Sequence, residues 1–101
     1  MPIHLNLMNR NKKCASLSLK DKSDRETIKN LMKDCHVVID PYRPGILEKL
    51  GFGPDQLWEI NPKIILLRVS GYGQTGPMAL RPGHDLNYIS VSGILPQIKE
   101  K

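Results

Sequence analysis

The 101-residue sequence predicts an α/β fold, and three observations carry that expectation. Two short runs, "HVVID" (36–40) and "KIILLRVS" (63–70), have the β-branched, apolar character of buried strands. The residues between them show helix starts and stops. Strands joined through helices pair in parallel, with a right-handed crossover in one layer. Length allows one modest domain. At 40% hydrophobic and 25% charged residues, the chain is too apolar for a disordered polymer and should fold.

Taken in order, "CASLSL" (14–19) alternates Ala15, Leu17 and Leu19 with Cys14, Ser16 and Ser18, which predicts a further strand. Ser23 and Glu26 stand at capping-box spacing, and Ile28, Leu31, Met32 and Cys35 fall at i, i+3, i+4 and i+7, so a helix with one apolar stripe follows. Pro41, Pro44 and Gly45 then end the "HVVID" strand. "ILEKL" forms a short helix stopped by Gly51, Pro54 opens a second in "PDQLWEI", and Asn61 with Pro62 closes it. Residues 70–83 hold four glycines and two prolines and form a loop. "HDLNYISVSGIL" (84–95) has Leu86, Ile89 and Ile94 at roughly helical spacing. No internal repeat or low-complexity tract interrupts this order.

Fifteen Lys and Arg against ten Asp and Glu leave a formal charge of +5, which favours either an anionic partner or a solvated basic surface. Nucleic acid is a poor fit, because the basic residues are scattered and aromatics make up only 5% of the chain. No apolar run approaches the roughly 18 residues of a membrane span, and "MPIHLNLMNRNKK" lacks the apolar core of a secretory signal. An intracellular chain is expected. Cys14 and Cys35 have no ligand partners at a metal-binding spacing, so reduced thiols and no metal site are the expectation.

Gly71, Gly73 and Gly76 in "SGYGQTGPMALRPGHDLNY" reproduce the G-x-G-x-x-G spacing of a dinucleotide-binding turn. That turn works by starting a helix whose amides face the pyrophosphate. Here Pro77 and Pro82 oppose a continuous helix before Gly83, and no strand ending in an acidic residue lies at the expected distance. The loop instead delivers "GHD" to a helix start. His84 is the residue there suited to proton transfer near neutral pH, and the positive end of a helix dipole would keep its ring neutral and able to accept a proton. Asp85 would cap the helix or orient that ring. Spacing alone leaves open that His84 only caps the helix or packs in the turn; His4 and His36 lack any such setting.

"LMNRNKKCASLSLK", "VVIDPYRPGILEKLGFGPDQLWEINPKIILLRVSGYGQTGP" and "RPGHDLNYISVSGIL" together resemble the α-methylacyl-CoA racemases of the class III CoA-transferase superfamily. The likeness spans roughly residues 7–95 and rests on ordered motifs: an N-R-x-K-[KR]-S-x-x-L-D-L-K-like segment, a [YF]-R-P-G turn and G-H-D-x-N-Y. It implies a partial Rossmann-like parallel β-α-β layer. It also implies inversion at the methyl-bearing carbon beside a CoA thioester, by removal of its proton and return from the opposite face.

In that reading His84 is one of two acid–base groups, with Asp85 beside it, and the second group is an aspartate beyond Lys101. Coenzyme A enters as part of the substrate thioester, with no other cofactor. It would lie against Leu17, Ser18, Leu19 and Lys20, with Arg10 upstream, and against Tyr42, Arg43 and Lys49. Arg and Lys suit its phosphates, and Tyr42 offers a flat face for adenine. Gly83, His84, Asp85, Leu86, Asn87 and Tyr88 would line the thioester end.

Two positions depart from the pattern: Ser18 stands where the family usually has Asp, and Cys14 where Ser is common. The resemblance further implies that the family's first strand–helix unit and carboxyl-terminal majority are not included, and that the complete enzyme is a homodimer. A class III CoA-transferase, working through covalent acyl-aspartate intermediates, is the rival enzyme, and a non-catalytic CoA-binding fragment is the rival outside enzymes. His84 separates the first two, because such transferases generally keep the Asp of the triplet without the His. Related eukaryotic enzymes occur in mitochondria and peroxisomes, and "KEK" is no peroxisomal address.

Overall fold

A computed structural model describes residues 7–98 of the chain. Its elements are α1 (Lys22–Lys33), β1 (Val37–Asp40), α2 (Ile46–Lys49), α3 (Pro54–Ile60), β2 (Ile65–Arg68) and α4 (Asp85–Val91), with 3-10 turns at Leu7–Asn9 and Leu95–Gln97. The two strands pair in parallel, Val37 opposite Ile65 and Asp40 opposite Arg68, with α2 and α3 between them in sequence. The α/β expectation holds. Among the described residues no helix is long and apolar enough to cross a membrane.

Phe52 and Leu57 are fully buried and, with Leu47 and Ile64, form the core. The sequence sends Phe52 inward by a specific turn. Gly51 ends α2 in the left-handed region (φ 77°), and the Phe52 N–H returns to the Leu47 carbonyl at 3.0 Å. This glycine-closed helix end brings the residue after the glycine back over the last helical turn. Arg25 of α1 lies over the Phe52 ring, 5.4 Å from its centre.

Helix α1 packs on the core through Ile28, Met32 and the following Cys35, whereas Leu31 is 57% exposed. The contact is centred on the other three positions of the predicted stripe, and Leu31 sits at its margin. Nor is Ser23 the cap. Asp21 holds that position, its Oδ1 accepting from the N–H groups of Ser23 (2.8 Å) and Asp24 (3.4 Å) and from the Ser23 hydroxyl (2.7 Å). A carboxylate answers both the free amides and the helix dipole, which a hydroxyl two residues later does not.

The Ser23 hydroxyl and both amides hold the Asp21 carboxyl below the usual aspartate range. A depressed folded-state pKa contributes stability above the unfolded value and loses it as pH falls through the folded one. The helical circular dichroism signal of the chain should therefore weaken on acidification below the ordinary aspartate range, and Asp21→Asn should flatten that part of the profile. An identical acid limb in the variant would show that the cap does not titrate with the fold.

"CASLSL" is not a strand. Residues 12–18 have no regular structure, and Leu19 instead packs on the core. Alternation supplies a face but not a ladder partner, and β1 and β2 pair only with each other among the described residues. For the same reason the strands are buried on one face rather than two: Val38 and Leu66 meet the core, while Val37, Ile39, Ile65 and Leu67 are exposed. Helix α4 ends at Val91 rather than running to Leu95, with Ser92 as its cap and Gly93 following.

Asn61 does more than end α3. Its side-chain amide donates to the Cys35 carbonyl (2.9 Å) and to those of Met32 and Lys33 (both 3.2 Å), while its Oδ1 accepts the Lys63 N–H (3.0 Å). One side chain thus ties the carbonyls at and just beyond the end of α1 to the approach of β2. Asn61→Ala is expected to lower the unfolding free energy by about 1–3 kcal/mol in denaturant titrations. A midpoint matching the parent chain would show that these bonds have no net effect.

Candidate functional site

Because β1 and β2 run in parallel, both chains leave the sheet at the same end. A cavity of about 530 Å³ opens there. Its walls come from the turn after β1 (Pro41, Tyr42, Arg43, Pro44), the loop after β2 (Val69, Ser70, Gly71, Tyr72) and the approach to α4 (Ala79, Arg81, Gly83, Tyr88). The carboxyl ends of parallel strands are where α/β layers place ligands. The lining carries two arginines and no carboxylate, and neither Arg43 nor Arg81 makes an ion pair among the described residues. Such a wall suits an anionic ligand.

Two tyrosines shape the far side. Tyr88 reaches back from α4, and its hydroxyl donates to the Gly83 carbonyl at 2.5 Å. Its ring stands edge-on to Tyr72, with centroids 5.1 Å apart and planes at 71°. A Cβ on Gly71 would run into the Tyr88 ring, and one on Gly83 would lie 2.7 Å from Tyr88 Cε1 and 2.9 Å from the Tyr72 hydroxyl. The first glycine of the G-x-G-x-x-G spacing therefore clears room for a tyrosine. No helix begins at that motif, as the prolines indicated.

The near side rests on a chain of charges just outside the lining. Asp40 is 2% exposed; its Oδ1 accepts the Tyr42 N–H (2.9 Å) and its Oδ2 accepts Arg68 Nε (3.1 Å). Arg68 Nη2 donates in turn to Glu48 Oε1 on α2 at 2.6 Å. That hydrogen bond holds the Glu48 carboxyl below its usual range and raises the guanidinium further.

His84 occupies the N-cap position of α4, and Asp85 is the first helical residue rather than the cap. Asn87 Oδ1 accepts the His84 N–H (2.9 Å), while the Asn87 and Tyr88 N–H groups donate to the His84 carbonyl (3.0 and 3.2 Å). No hydrogen bond joins Asp85 to the imidazole among the described residues. His84, Asp85, Leu86 and Asn87 are exposed and, contrary to expectation, do not line the cavity; only Gly83 and Tyr88 on either side of them do.

Of the residues expected to hold CoA, the structure brings Tyr42, Arg43, Gly83 and Tyr88 together on the cavity. Lys49 lies at the end of α2 and Arg10, Leu17, Ser18, Leu19 and Lys20 lie in the segment before α1; none of the six lines the cavity. Ser18 engages Asp24, whose Oδ2 accepts its N–H at 2.8 Å. His36 is exposed between α1 and β1, and His4 lies outside the described residues. Sequence reasoning missed Arg81, Tyr72 and the Val69–Gly71 stretch. The rule that ligands gather beyond the ends of parallel strands was the available signal for the last of these. Among the described residues no group of three or more His, Cys, Asp or Glu side chains could hold a metal ion.

Comparison with known proteins places this geometry in a lineage. The chain is 46% identical over 89 residues to a CaiB/baiF CoA-transferase family protein of Caenorhabditis elegans, covering 88% of this chain and 26% of that protein. It is 38% identical to the alpha-methylacyl-CoA racemase of Mus musculus, covering 92% of this chain and 24% of the racemase. The crystal structure of a hypothetical protein from Mycobacterium tuberculosis superposes with a TM-score of 0.79 at 35% identity, covering 90% of this chain and 26% of that one. The chain thus spans about a quarter of the length of the relatives it matches. With residues 2–100 matching the family throughout, this chain belongs to CoA-transferase family III, a family whose members include racemases as well as CoA-transferases.

Proposed function

We propose that this segment binds the CoA thioester of a 2-methyl-branched acyl group and carries one of the two acid–base groups of an α-methylacyl-CoA racemase. The observation that carries the reading is that His84 directly follows Gly83, a wall residue of a carboxylate-free, arginine-lined cavity. A proton beside a thioester is weakly acidic. Its removal by an imidazole leaves the electron pair delocalised onto the thioester oxygen as an enolate, which nearby donors and cations stabilise. Arg43 and Arg81 supply cations for the anionic part of the ligand, and Tyr42 supplies a flat surface.

Coenzyme A enters as part of the substrate, and the charges of Arg43 and Arg81 on the cavity wall, unpaired among the described residues, suit its phosphates. Return of the proton to the opposite face requires a second group, which this reading assigns to an aspartate outside these 101 residues. CoA transfer is the second reading, and the name shared by the family and the nematode relative favours it. His84 favours proton transfer, because moving CoA between carboxylates needs a carboxylate nucleophile rather than a neutral base.

One experiment separates these readings. A polypeptide carrying this segment at the length of its relatives is titrated with a 2-methylacyl-CoA in deuterium oxide, with and without a free carboxylic acid acceptor. Deuterium at the α-carbon without an acceptor supports racemisation. CoA moved to the acceptor with no deuterium incorporation would replace it by transfer, and binding with neither reaction would leave a binding module.

A further inference from the structure

Asp40, Arg68 and Glu48 are absent from the cavity wall, yet each is bonded to a residue or element that forms or supports it. Asp40 holds three parts of the fold together. Its Oδ1 fixes the Tyr42 N–H, its Oδ2 fixes Arg68 on the neighbouring strand, and its carbonyl accepts the Val69 N–H at 2.9 Å. The residues next along the chain on either strand, Pro41 to Pro44 and Val69 to Gly71, are cavity wall.

Stability alone gives little reason for this arrangement. A buried ion pair has a desolvation cost comparable to its attraction, and well-packed apolar side chains commonly serve as well at such a site. What apolar residues would not do is direct the turn. Pro41 and Pro44 restrict their own φ angles, and Pro44 biases Arg43 toward extended backbone, but Tyr42 keeps its freedom. A carboxylate accepting the N–H two residues ahead is the local bond that sets such a turn. Arg68, bonded to Glu48 of α2, holds the carboxylate in the orientation that makes this bond.

We propose that Asp40, held by Arg68 and Glu48, is a positioning residue that aims the Tyr42–Arg43 turn into the cavity and so sets its affinity for CoA. The proposal rests on the reading of the cavity as a CoA site. It assigns these three residues no contact with the ligand.

The test is a double-mutant cycle read by calorimetric titration with CoA, using the parent chain, Asp40→Asn, Arg43→Ala and the pair. Asp40→Asn should weaken binding by about tenfold, the scale of one charge-assisted hydrogen bond. In the Arg43→Ala background the same change should cost about threefold or less, because only Tyr42 of the two side chains it aims is left. Glu48→Gln, at a partly exposed site, should show a smaller loss of the same kind if Asp40→Asn does not fold.

Independent, multiplying losses in the cycle would overturn the proposal, as would parent-like binding by Asp40→Asn and Glu48→Gln. Hydrogen exchange at the Tyr42 amide gives a readout that needs no ligand. Faster exchange in Asp40→Asn with the rest of β1 still protected supports the tie, and unchanged exchange refutes it. If the parent chain binds no CoA, the reading of the cavity fails, while the amide result still decides whether Asp40 directs the turn.

Discussion

His84→Ala, made in a polypeptide that carries this segment at the length of its relatives, is expected to abolish exchange of the α-hydrogen of a 2-methylacyl-CoA with solvent. A positioned acid–base group typically accounts for about 10²–10⁴ in rate. Asp85, the nearest titratable residue in sequence, is the first residue of α4 and makes no hydrogen bond to the imidazole among the described residues. Affinity for CoA should change by less than about threefold, since one hydrogen bond at an exposed site is the most the imidazole could add. The cavity wall is built by Arg43, Arg81 and three tyrosines, and His84 is not part of it. Deuterium incorporation measured by NMR or mass spectrometry checks the first claim and calorimetric titration the second. Exchange at the parent rate would remove His84 from the chemistry. A loss confined to affinity would make it a binding group.

Gly71→Ala is expected to damage the site through packing. The added Cβ would enter the space of the Tyr88 ring, and aromatic rings do not yield. Tyr88 would then have to swing away from Tyr72 and release its hydrogen bond to the Gly83 carbonyl, which lies one residue before His84. Overpacking of this kind costs about 1–3 kcal/mol. Loss of the wall formed by Tyr72 and Tyr88 should also weaken CoA binding by at least about tenfold, roughly 1.4 kcal/mol.

The cause can be isolated. If the clash is with the ring, Tyr88→Ala in the same chain should relieve it, so the double variant should be less destabilised than the sum of the two single variants. Additive losses in denaturant titrations would mean that Gly71 matters for another reason, such as backbone freedom.

The two strands, the short helices between them and the loop at 70–83 were all legible in the chain, because local chemistry announces them. β-branched runs, prolines at helix starts and the glycine after "ILEKL" act over a few residues. Even there the alternation at 14–19 misled, because a strand exists only where another strand supplies its ladder. Asp21 took the cap from Ser23 by a competition among neighbours that spacing does not rank.

The site divided in the same way. "GHD" at a helix start, and the basic and aromatic character of "PYRPG", can be read without coordinates. Arg81 was hidden in a glycine- and proline-rich loop whose path no periodicity describes, and the partnership of Tyr72 with Tyr88 joins residues that only a folded loop brings together.

By itself the sequence determined the α/β class, the stops of α2 and α3, the obstruction of a dinucleotide turn by Pro77 and Pro82, and the family to which the motifs point. Tertiary structure alone decided that Asp40 meets Arg68, that the turn after β1 faces the loop after β2, and that Gly71 makes room for a ring. The physical reason is register. Parallel pairing sets Asp40 opposite Arg68 across 28 residues of chain, and only once that alignment exists do the two strand ends enclose a cavity.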